Sequence, residues 1–222
     1  MALHREDVIR AAVELLDEVG LDRLTTRALT TRLGVQPGAL YWHVRSKGEL
    51  LTAIADEIMS GAFAAPASAG ALPGSSAGAS AVASVEAEGA GGWAEQTASF
   101  AHRMRRALLA HRDGARVVVG HLSMNSASLE AAEQGLSLMR GAGLGLARAA
   151  YFGDTVTSYV TGFVLQEQVV PPVAAEPLAG LEPERYPNLW EWQSGKPVSR
   201  DEAFAAGLSL IIKGLRAELD ES

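Results

Sequence analysis

Apolar residues return every three or four positions along most of this chain, and that spacing limits its fold more than any other feature of the sequence. One face of an α-helix recurs with this period, whereas a half-buried strand alternates apolar and polar residues. No stretch alternates over a useful length, and Val117–Val119 is too short to start a sheet. The sequence therefore predicts an all-α fold.

The apolar stripes and their flanking residues mark the clearest helices. The first stripe ends at Gly20, and a helix over residues 46–63 opens with Ser46 and Glu49 at the spacing of a capping box. A second capping box, Ser199 with Glu202, precedes the last helix. The stripes lie at Val8–Val19, Leu50–Met59, Phe100–Leu108, Leu129–Met139, Leu146–Val170 and Phe204–Leu219.

Two segments lack the helical period. Between Ala64 and Gly92, 24 of 29 residues are Ala, Gly, Ser or Pro, so the segment cannot bury enough surface to offset its chain entropy. We expect a flexible loop over residues 64–92. Six of the nine prolines lie between Pro171 and Ser199, which predicts a long irregular connection with at most one short helix.

Charge is distributed unevenly along the chain. The net charge is −7, yet residues 21–48 carry five basic side chains and one acidic side chain. Residues 51–222 carry 12 basic and 19 acidic side chains. This asymmetry predicts a small anion-binding module attached to a larger body with another purpose.

The absence of cysteine excludes disulfide scaffolds, cysteine zinc sites and thiol nucleophiles. The N-terminus opens with charged residues where a signal peptide needs a long apolar stretch. No apolar run approaches the ~18 residues that span a bilayer. We therefore expect a cytoplasmic protein with no membrane partner.

Three motifs that resemble catalytic or metal sites lack the context that such sites need. Residues 74–78 match the G-x-S-x-G pattern of hydrolases, but no strand precedes them. Residues 111–113 spell the kinase triplet without the other kinase motifs. His102, His111 and His121 are nine and ten positions apart, not three or four. The sequence thus predicts no catalytic residue, metal or cofactor, and an all-α enzyme with an incidental DNA-binding motif is the weaker alternative.

The segment from Thr25 to Val44 reads TTRALTTRLGVQPGALYWHV and carries the functional signal. A threonine can cap a short helix, Gly34 permits a left-handed turn, and Pro37 fits the first turn of a second short helix. Two helices of about eight residues joined by a glycine turn predict a helix-turn-helix.

The second of these helices has an unusual surface. Leu40 and Val44 are four positions apart and can face a core, while Tyr41, Trp42 and His43 crowd the rest of the helix. Aromatic side chains next to basic residues can contact thymine methyls and phosphates. This pattern favours DNA binding over a purely structural helix.

The stretch GLDRLTTRALTTRLGVQPGALYWHVRSKGELLTAI resembles the DNA-binding domain of the TetR family, and YWHV with the later HRDGARV resembles its tetracycline repressor branch. FVLQEQ and FAAGLSLIIKGLRAEL resemble dimer-forming helices of that branch. The resemblance implies a homodimer that binds a palindromic double-stranded operator and releases it when a small molecule enters the core. It divides the chain into a DNA-binding domain (1–46), a connecting helix (47–63), the loop (64–92) and an effector-binding and dimerisation domain (93–222).

The resemblance also implies roles for the residues of the DNA-binding domain. Arg27 would read a guanine, Thr26 and Lys47 would hold phosphates, and the aromatic residues would contact the backbone and thymine methyls. Pro37, Gly38 and Ala39 replace the Gln, Pro and Thr of the branch, so the operator should differ. The predicted DNA-binding residues are Thr26, Arg27, Gly38, Ala39, Tyr41, Trp42, His43 and Lys47.

For the effector, the same comparison argues against a magnesium chelate. Val118 stands where the branch has a metal-binding histidine, and Gln166 stands where it has an acidic residue. We therefore expect a small hydrophobic effector bound without metal. The predicted pocket walls are Phe100, Met104, Val118, His121, Tyr159 and Gln166.

The helix that ends in FVLQEQ and the last helix both carry a broad apolar face. Together these faces exceed what a lone subunit can bury, which predicts a four-helix dimer interface. The helix over residues 46–63 is expected to be the only rigid link between the DNA-binding domain and the effector-binding domain. A DNA binder that responds to no effector remains an alternative. The predicted interface residues are Val156, Val160, Gly162, Val164, Leu208, Ile211, Ile212 and Leu215.

Overall fold

A computed structural model of the chain describes residues 3–63, 92–169, 182–195 and 197–220, and every regular element in these ranges is helical. The all-α prediction is confirmed. A 3-10 helix (Leu21–Arg23) follows the first α-helix. The α-helices of the described ranges are α1 (Arg5–Val19), α2 (Thr26–Leu33), α3 (Pro37–Tyr41), α4 (Lys47–Phe63), α5 (Gly92–Leu109), α6 (Gly114–His121), α7 (Ser126–Gly141), α8 (Leu146–Val169), α9 (Pro187–Ser194) and α10 (Arg200–Asp220).

The first three helices form a small head. α1 packs against α2 and α4, and α2 packs against α3. The apolar stripe of α1 supplies Val8, Ala12 and Leu16 to the core of the head, where Leu29 and Leu40 are also fully buried. Burial of this stripe holds the two short helices in place, since neither would be stable alone.

The remaining helices form the larger body around α4 and α8. α4 packs against α5 and α6, while α8 packs against α5, α6, α7 and α10. Leu50, Ile54 and Met59 of α4 are buried along its whole length. Because α4 packs against α1 at one end and the body along its length, it joins the two parts.

The two capping boxes form to different degrees. At α10, Glu202 N–H donates to Ser199 Oγ (3.1 Å), and Ser199 N–H donates to the Glu202 carboxylate (2.9 Å). The hydrogen bond from the Ser199 backbone holds the pKa of Glu202 below its usual value. At α4, Glu49 N–H donates to Ser46 Oγ (3.1 Å), but the Glu49 carboxylate accepts from Arg45 N–H instead (2.8 Å).

Some boundaries differ from the sequence-based expectation. α3 ends at Tyr41, shorter than the predicted eight residues, and α6 forms over a segment in which no helix was predicted. The short helix allowed for in the proline-rich connection is α9. The predicted loop 64–92 lies outside the described residues except for Gly92, which begins α5.

Candidate DNA interface and effector site

The helix-turn-helix is built by local backbone chemistry. Thr25 Oγ1 accepts a hydrogen bond from Ala28 N–H (3.1 Å) and caps α2, so the first of the two threonines is the cap. Gly34 ends α2 with φ of 66°, in the left-handed region that glycine tolerates. Pro37 lies in the first turn of α3, where its missing N–H costs nothing.

The predicted DNA-contacting residues lie on α2, α3, the turn after α3 and the first residue of α4, and none of them is fully buried. Trp42 is 89% exposed and Tyr41 49% exposed, which is unusual for side chains of this size. Leu40 and Val44, by contrast, are buried. The turn therefore separates an inward apolar pair from an outward aromatic pair.

The basic residues of the head differ in their ion-pair partners. Arg32 donates to Glu14 and Glu18 of α1, both at 2.8 Å, so its charge is neutralised within the head. Arg27, Arg45 and Lys47 are exposed and form no ion pair within the described ranges. Three cations thus remain available for an anionic partner near the aromatic pair.

A second contact between head and body lies at the turn between α5 and α6. Asp17 near the end of α1 accepts a hydrogen bond from Arg112 N–H (2.9 Å), and its second carboxylate oxygen lies 3.0 Å from His111 Nδ1. In return, Leu21 N–H donates to the Asp113 carboxylate (2.9 Å). Asp113 is held at φ of 57°, a strained conformation for a non-glycine residue. We name these contacts the head–body junction.

An ion-pair chain extends the head–body junction. Arg116 of α6 contacts Asp22 of the head (3.0 Å) and Asp113 of its own turn (3.0 Å). The hydrogen bond from Arg116 is the main reason why the pKa of Asp22 lies below its usual value. The expectation that α4 is the only rigid link is therefore wrong, because residues 90 or more positions apart pair across this junction.

The far end of α6 is tied to α4. Ser123 donates from both its N–H (3.2 Å) and its hydroxyl (2.7 and 2.9 Å) to the carboxylate of Asp56. α6 therefore contacts the head at its first turn and is linked to the connecting helix just after its last turn.

The six predicted pocket residues are placed unequally. Met104 and Val118 are buried in the body, and Phe100 and His121 are partly buried. Tyr159 donates its hydroxyl proton to the Phe204 carbonyl (2.8 Å), and burial raises its pKa. Gln166 is exposed on α8. The first four thus lie on α5 and α6, whereas Tyr159, which packs against the core, and Gln166 lie on α8.

A shallow groove lies between α6 and α8. It includes Gly162 of the predicted dimer interface and none of the six predicted pocket residues. Its walls are Val119, Thr157, Ser158, Thr161, Gly162 and Leu165.

Sequence reasoning missed a buried ion-pair cluster in the body. Arg105 of α5 is only 9% exposed and donates through two nitrogens to Glu167 of α8 (2.6 and 3.0 Å). It also donates to Asp201 of α10 (2.7 Å) and lies over the ring of Phe204. The hydrogen bonds that Arg105 donates to Glu167 raise the pKa of Arg105. The partners are 62 and 96 positions away, so only a charged residue within an apolar stripe could have hinted at the cluster.

The predicted interface residues fall into two groups. Val156, Val160 and Val164 of α8 are buried inside the subunit, as are Leu208 and Leu215 of α10. Gly162, Ile211 and Ile212 are partly exposed. This differs from the sequence-based assignment, since the most apolar stripe of each helix covers its own core. The outward face of α10 carries Leu210, which is 72% exposed.

The described residues contain neither a membrane-spanning helix nor a cluster of metal ligands. No helix in these ranges has the length and hydropathy of a membrane span. No group of three or more His, Cys, Asp or Glu side chains in the same ranges is arranged to hold a metal ion.

Two family models match the chain. Residues 8–54 match the model of bacterial regulatory proteins of the tetR family, which covers the head and the start of α4. Residues 86–219 match the tetracyclin repressor-like C-terminal domain.

Similar proteins agree with these matches. The class A tetracycline repressor protein of Escherichia coli is 34% identical over 218 residues, which cover 96% of this chain and 90% of that protein. A possible TetR family transcriptional regulator from Streptomyces coelicolor is 33% identical with a TM-score of 0.77, over 96% of this chain and 99% of that one. ActR from the same organism, solved in complex with actinorhodin, is 28% identical with a TM-score of 0.76, over 99% of each chain. The chain therefore belongs to the TetR family and is a ligand-responsive, DNA-binding transcriptional regulator.

Proposed function

We propose that this protein is a repressor that binds a palindromic DNA operator as a homodimer and leaves it when a hydrophobic effector enters the body. Residues 1–46 would form the DNA-binding domain, residues 47–63 the connecting helix, and residues 93–222 the effector-binding and dimerisation domain. The observation that carries the proposal is the exposed aromatic pair of the head beside three cations without an ion pair in the described ranges.

The chemistry of the head supports direct reading of DNA. Arg27 carries the guanidinium fork that suits the two acceptors of a guanine edge, and Lys47 offers a point charge for a phosphate. Tyr41 and Trp42 offer apolar faces for thymine methyls. Gly38 and Ala39 place no long side chain at the start of α3, which lets the helix approach the bases closely.

An effector without a metal ion fits the residues of the body. Magnesium prefers oxygen ligands, and protein sites for it rely on carboxylates. Val118 is apolar and buried, and Gln166 is a neutral amide on the exposed side of α8. These two side chains would not hold a magnesium chelate. ActR, whose structure contains actinorhodin, supports an organic effector.

The outward faces of α8 and α10 are the proposed dimer interface. Gly162 and Leu165 line the shallow groove on α8, and Leu210 is exposed on α10. Small side chains on α8 allow a partner helix to come close, while Leu210 supplies apolar area. Pairing these faces around a two-fold axis would form a four-helix interface.

Release would follow from movement of α6. An effector that contacts Val118 or His121 shifts α6, which is hydrogen-bonded to the head through the head–body junction and to α4 through Asp56. Through either link, a shift of α6 would change the separation of the two heads. This separation must match one DNA turn of ~34 Å. A coupling of ~1 to 3 kcal/mol is enough to change operator occupancy.

Selection of the operator from random duplexes tests the proposal. The full-length protein should enrich a palindrome whose half-site centres lie about one helical turn apart. Enrichment of an unpaired half-site, or of no sequence, contradicts the dimeric repressor. A palindrome that no compound from a screen can release supports the effector-independent alternative instead.

A further inference from the structure

Arg103 of α5 has only neutral hydrogen-bond partners. Its Nε donates to the Ala62 carbonyl at the end of α4 (3.2 Å), and its Nη1 donates to Ser99 Oγ (2.8 Å). In the described part of the chain it forms no ion pair with a carboxylate. A half-buried guanidinium therefore keeps its charge without an opposite charge beside it.

A second buried arginine of the same helix is compensated by carboxylates. Arg105, two positions along the same helix, pairs with Glu167 and Asp201. Burial lowers the pKa of Arg103, and repulsion from Arg106 lowers it further. Because a cation removed from water is costly without a counter-charge, the surroundings of Arg103 favour an anion that is supplied from outside.

Two aromatic residues lie close to Arg103 along α4 and α5. Phe63 directly follows Ala62 in α4, and Phe100 lies one turn before Arg103 in α5. Both rings are partly buried against the core, and Met104 is fully enclosed within it. An aromatic molecule bound at Arg103 would therefore have two partly buried rings close by, beside a cation that is unpaired in the described ranges.

Building on the proposed function, we propose that the effector is an aromatic acid whose carboxylate binds the Arg103 guanidinium while its rings pack against Phe63 and Phe100. A carboxylate matches the fork of arginine and forms charge-assisted hydrogen bonds. This identifies the chemical class of effector and assigns Arg103 as the residue that selects it.

The contact with Ala62 connects this site to the head. An arginine that donates to a carbonyl in the last turn of a helix stabilises that end of the helix. A carboxylate that accepts a hydrogen bond from Arg103 Nε–H competes with the Ala62 carbonyl for that donor. Acid binding thus weakens the hydrogen bond between Arg103 of α5 and the end of α4, which is the helix that leads to the head.

The test compares an acid with its neutral isostere on the full-length protein. Binding of anthraquinone-2-carboxylate and anthraquinone-2-carboxamide is measured by calorimetry. We expect the acid to bind about tenfold or more tightly than the amide, as a charge-assisted hydrogen bond requires. Arg103→Gln should bring the acid down to the affinity of the amide. Equal binding of the two probes, or binding of neither, overturns the proposal.

Matched variants separate this site from a general effect of charge or folding. Arg106→Gln removes the same charge from an exposed position of the same helix and should leave the preference for the acid intact. Arg103→Lys keeps the charge and should retain part of the preference, provided that its melting temperature matches wild type. An equal loss of preference in the Arg106 variant contradicts the assignment.

Operator binding distinguishes the two proposals. In gel-shift assays the acid should release the selected operator from wild type and not from Arg103→Gln. A protein that binds its operator but shows no preference for the acid refutes only this inference. A protein that binds the acid through Arg103 but binds no operator refutes only the proposed repressor.

Discussion

At the scale of single residues, the basic side chains of the head differ in whether they form ion pairs. Arg32 pairs with two glutamates of α1, whereas Arg27 and Lys47 form no ion pair in the described ranges. An exposed cation without a partner contributes little to stability, so its presence on this face is better explained by an anionic partner.

Arg27→Ala should separate base reading from phosphate binding. We expect specific operator binding to weaken by ~1 to 3 kcal/mol and the preference at one base pair of each half-site to relax. Lys47→Ala should instead weaken all sequences similarly and reduce the salt slope by about 1. Fluorescence titrations over a salt series measure both effects. Unchanged specificity in Arg27→Ala would show that another residue reads the guanine.

Gly114→Ala probes the tight turn at the head–body junction. A Cβ at this position would overlap the Leu108 carbonyl oxygen, which is rigid backbone at the end of α5. We expect a loss of ~1 to 3 kcal/mol in the free energy of unfolding, as for other overpacked sites. Gly135→Ala is the control, because nothing lies within 4 Å of its added Cβ. That change should stabilise α7 by ~0.5 to 1 kcal/mol; urea unfolding that shows equal effects contradicts the clash.

At the scale of elements, α8 and α10 each have two faces with different partners. Their most apolar stripes, which include Val160 and Leu208, pack inside the subunit. The outward faces are less apolar and include Gly162 and Leu210. An interface between copies of the chain therefore has to use side chains that the apolar pattern does not emphasise.

Leu210→Asp should produce a folded monomer. The side chain is 72% exposed in the subunit, so a charge there costs little within one chain but opposes pairing of two α10 helices. Sedimentation velocity should show the monomer, and binding to a full palindrome should be lost. Leu129→Asp makes the same change at another exposed leucine, on α7, and should remain dimeric. An intact dimer of Leu210→Asp places the interface elsewhere.

The link between Asp22 and Arg116 should make stability depend on pH at the head–body junction. Because the pKa of Asp22 is lower in the folded protein than its usual value of 3.8, its ionised form contributes stability above that value. The contribution is lost as the pH falls through the folded pKa. Urea unfolding should show Asp22→Asn less stable than wild type near pH 7, with the gap closing in acid. Asp154→Asn, an exposed residue whose side chain forms no ion pair in the described ranges, should show no such gap.

At the scale of the whole molecule, two connections join head and body, and a third contact ties the segment after α6 to α4. α4 runs between them, the turn before α6 contacts the end of α1, and Ser123 after α6 contacts Asp56. Since α6 takes part in the last two contacts, a small displacement of this helix acts on the head and on α4 together. A shift of one short helix can thereby change the spacing of two heads in a dimer.

Release from the operator should not require a divalent metal. Val118 has no ligand atom, and Gln166 is a neutral amide on the exposed side of α8 that brings no negative charge to a magnesium chelate. We expect an inducer found by screening to release the operator equally well with and without EDTA, and tetracycline with magnesium to leave the complex intact. Gel-shift titrations measure both. Release by tetracycline that EDTA abolishes would show that His121 or another group nearby binds the metal.

The sequence alone determined the helical fold, the head with its helix-turn-helix and the family. These features depend on local chemistry: the apolar period, the Thr25 cap, the turn at Gly34 and the proline that opens α3 all act over a few residues. The exposed aromatic pair could be predicted for the same reason. Leu40 and Val44 occupy the inward face of one short turn and leave Tyr41 and Trp42 outside.

Only the tertiary structure decided which charges are paired and which apolar faces are covered. Arg105 and Arg103 lie on one helix two positions apart, yet the first meets carboxylates from α8 and α10 while the second meets only neutral oxygens. Likewise, the valines of α8 are buried in the core of their own subunit. Such outcomes depend on elements brought together from distant parts of the chain, and local periodicity carries no information about which of them meet.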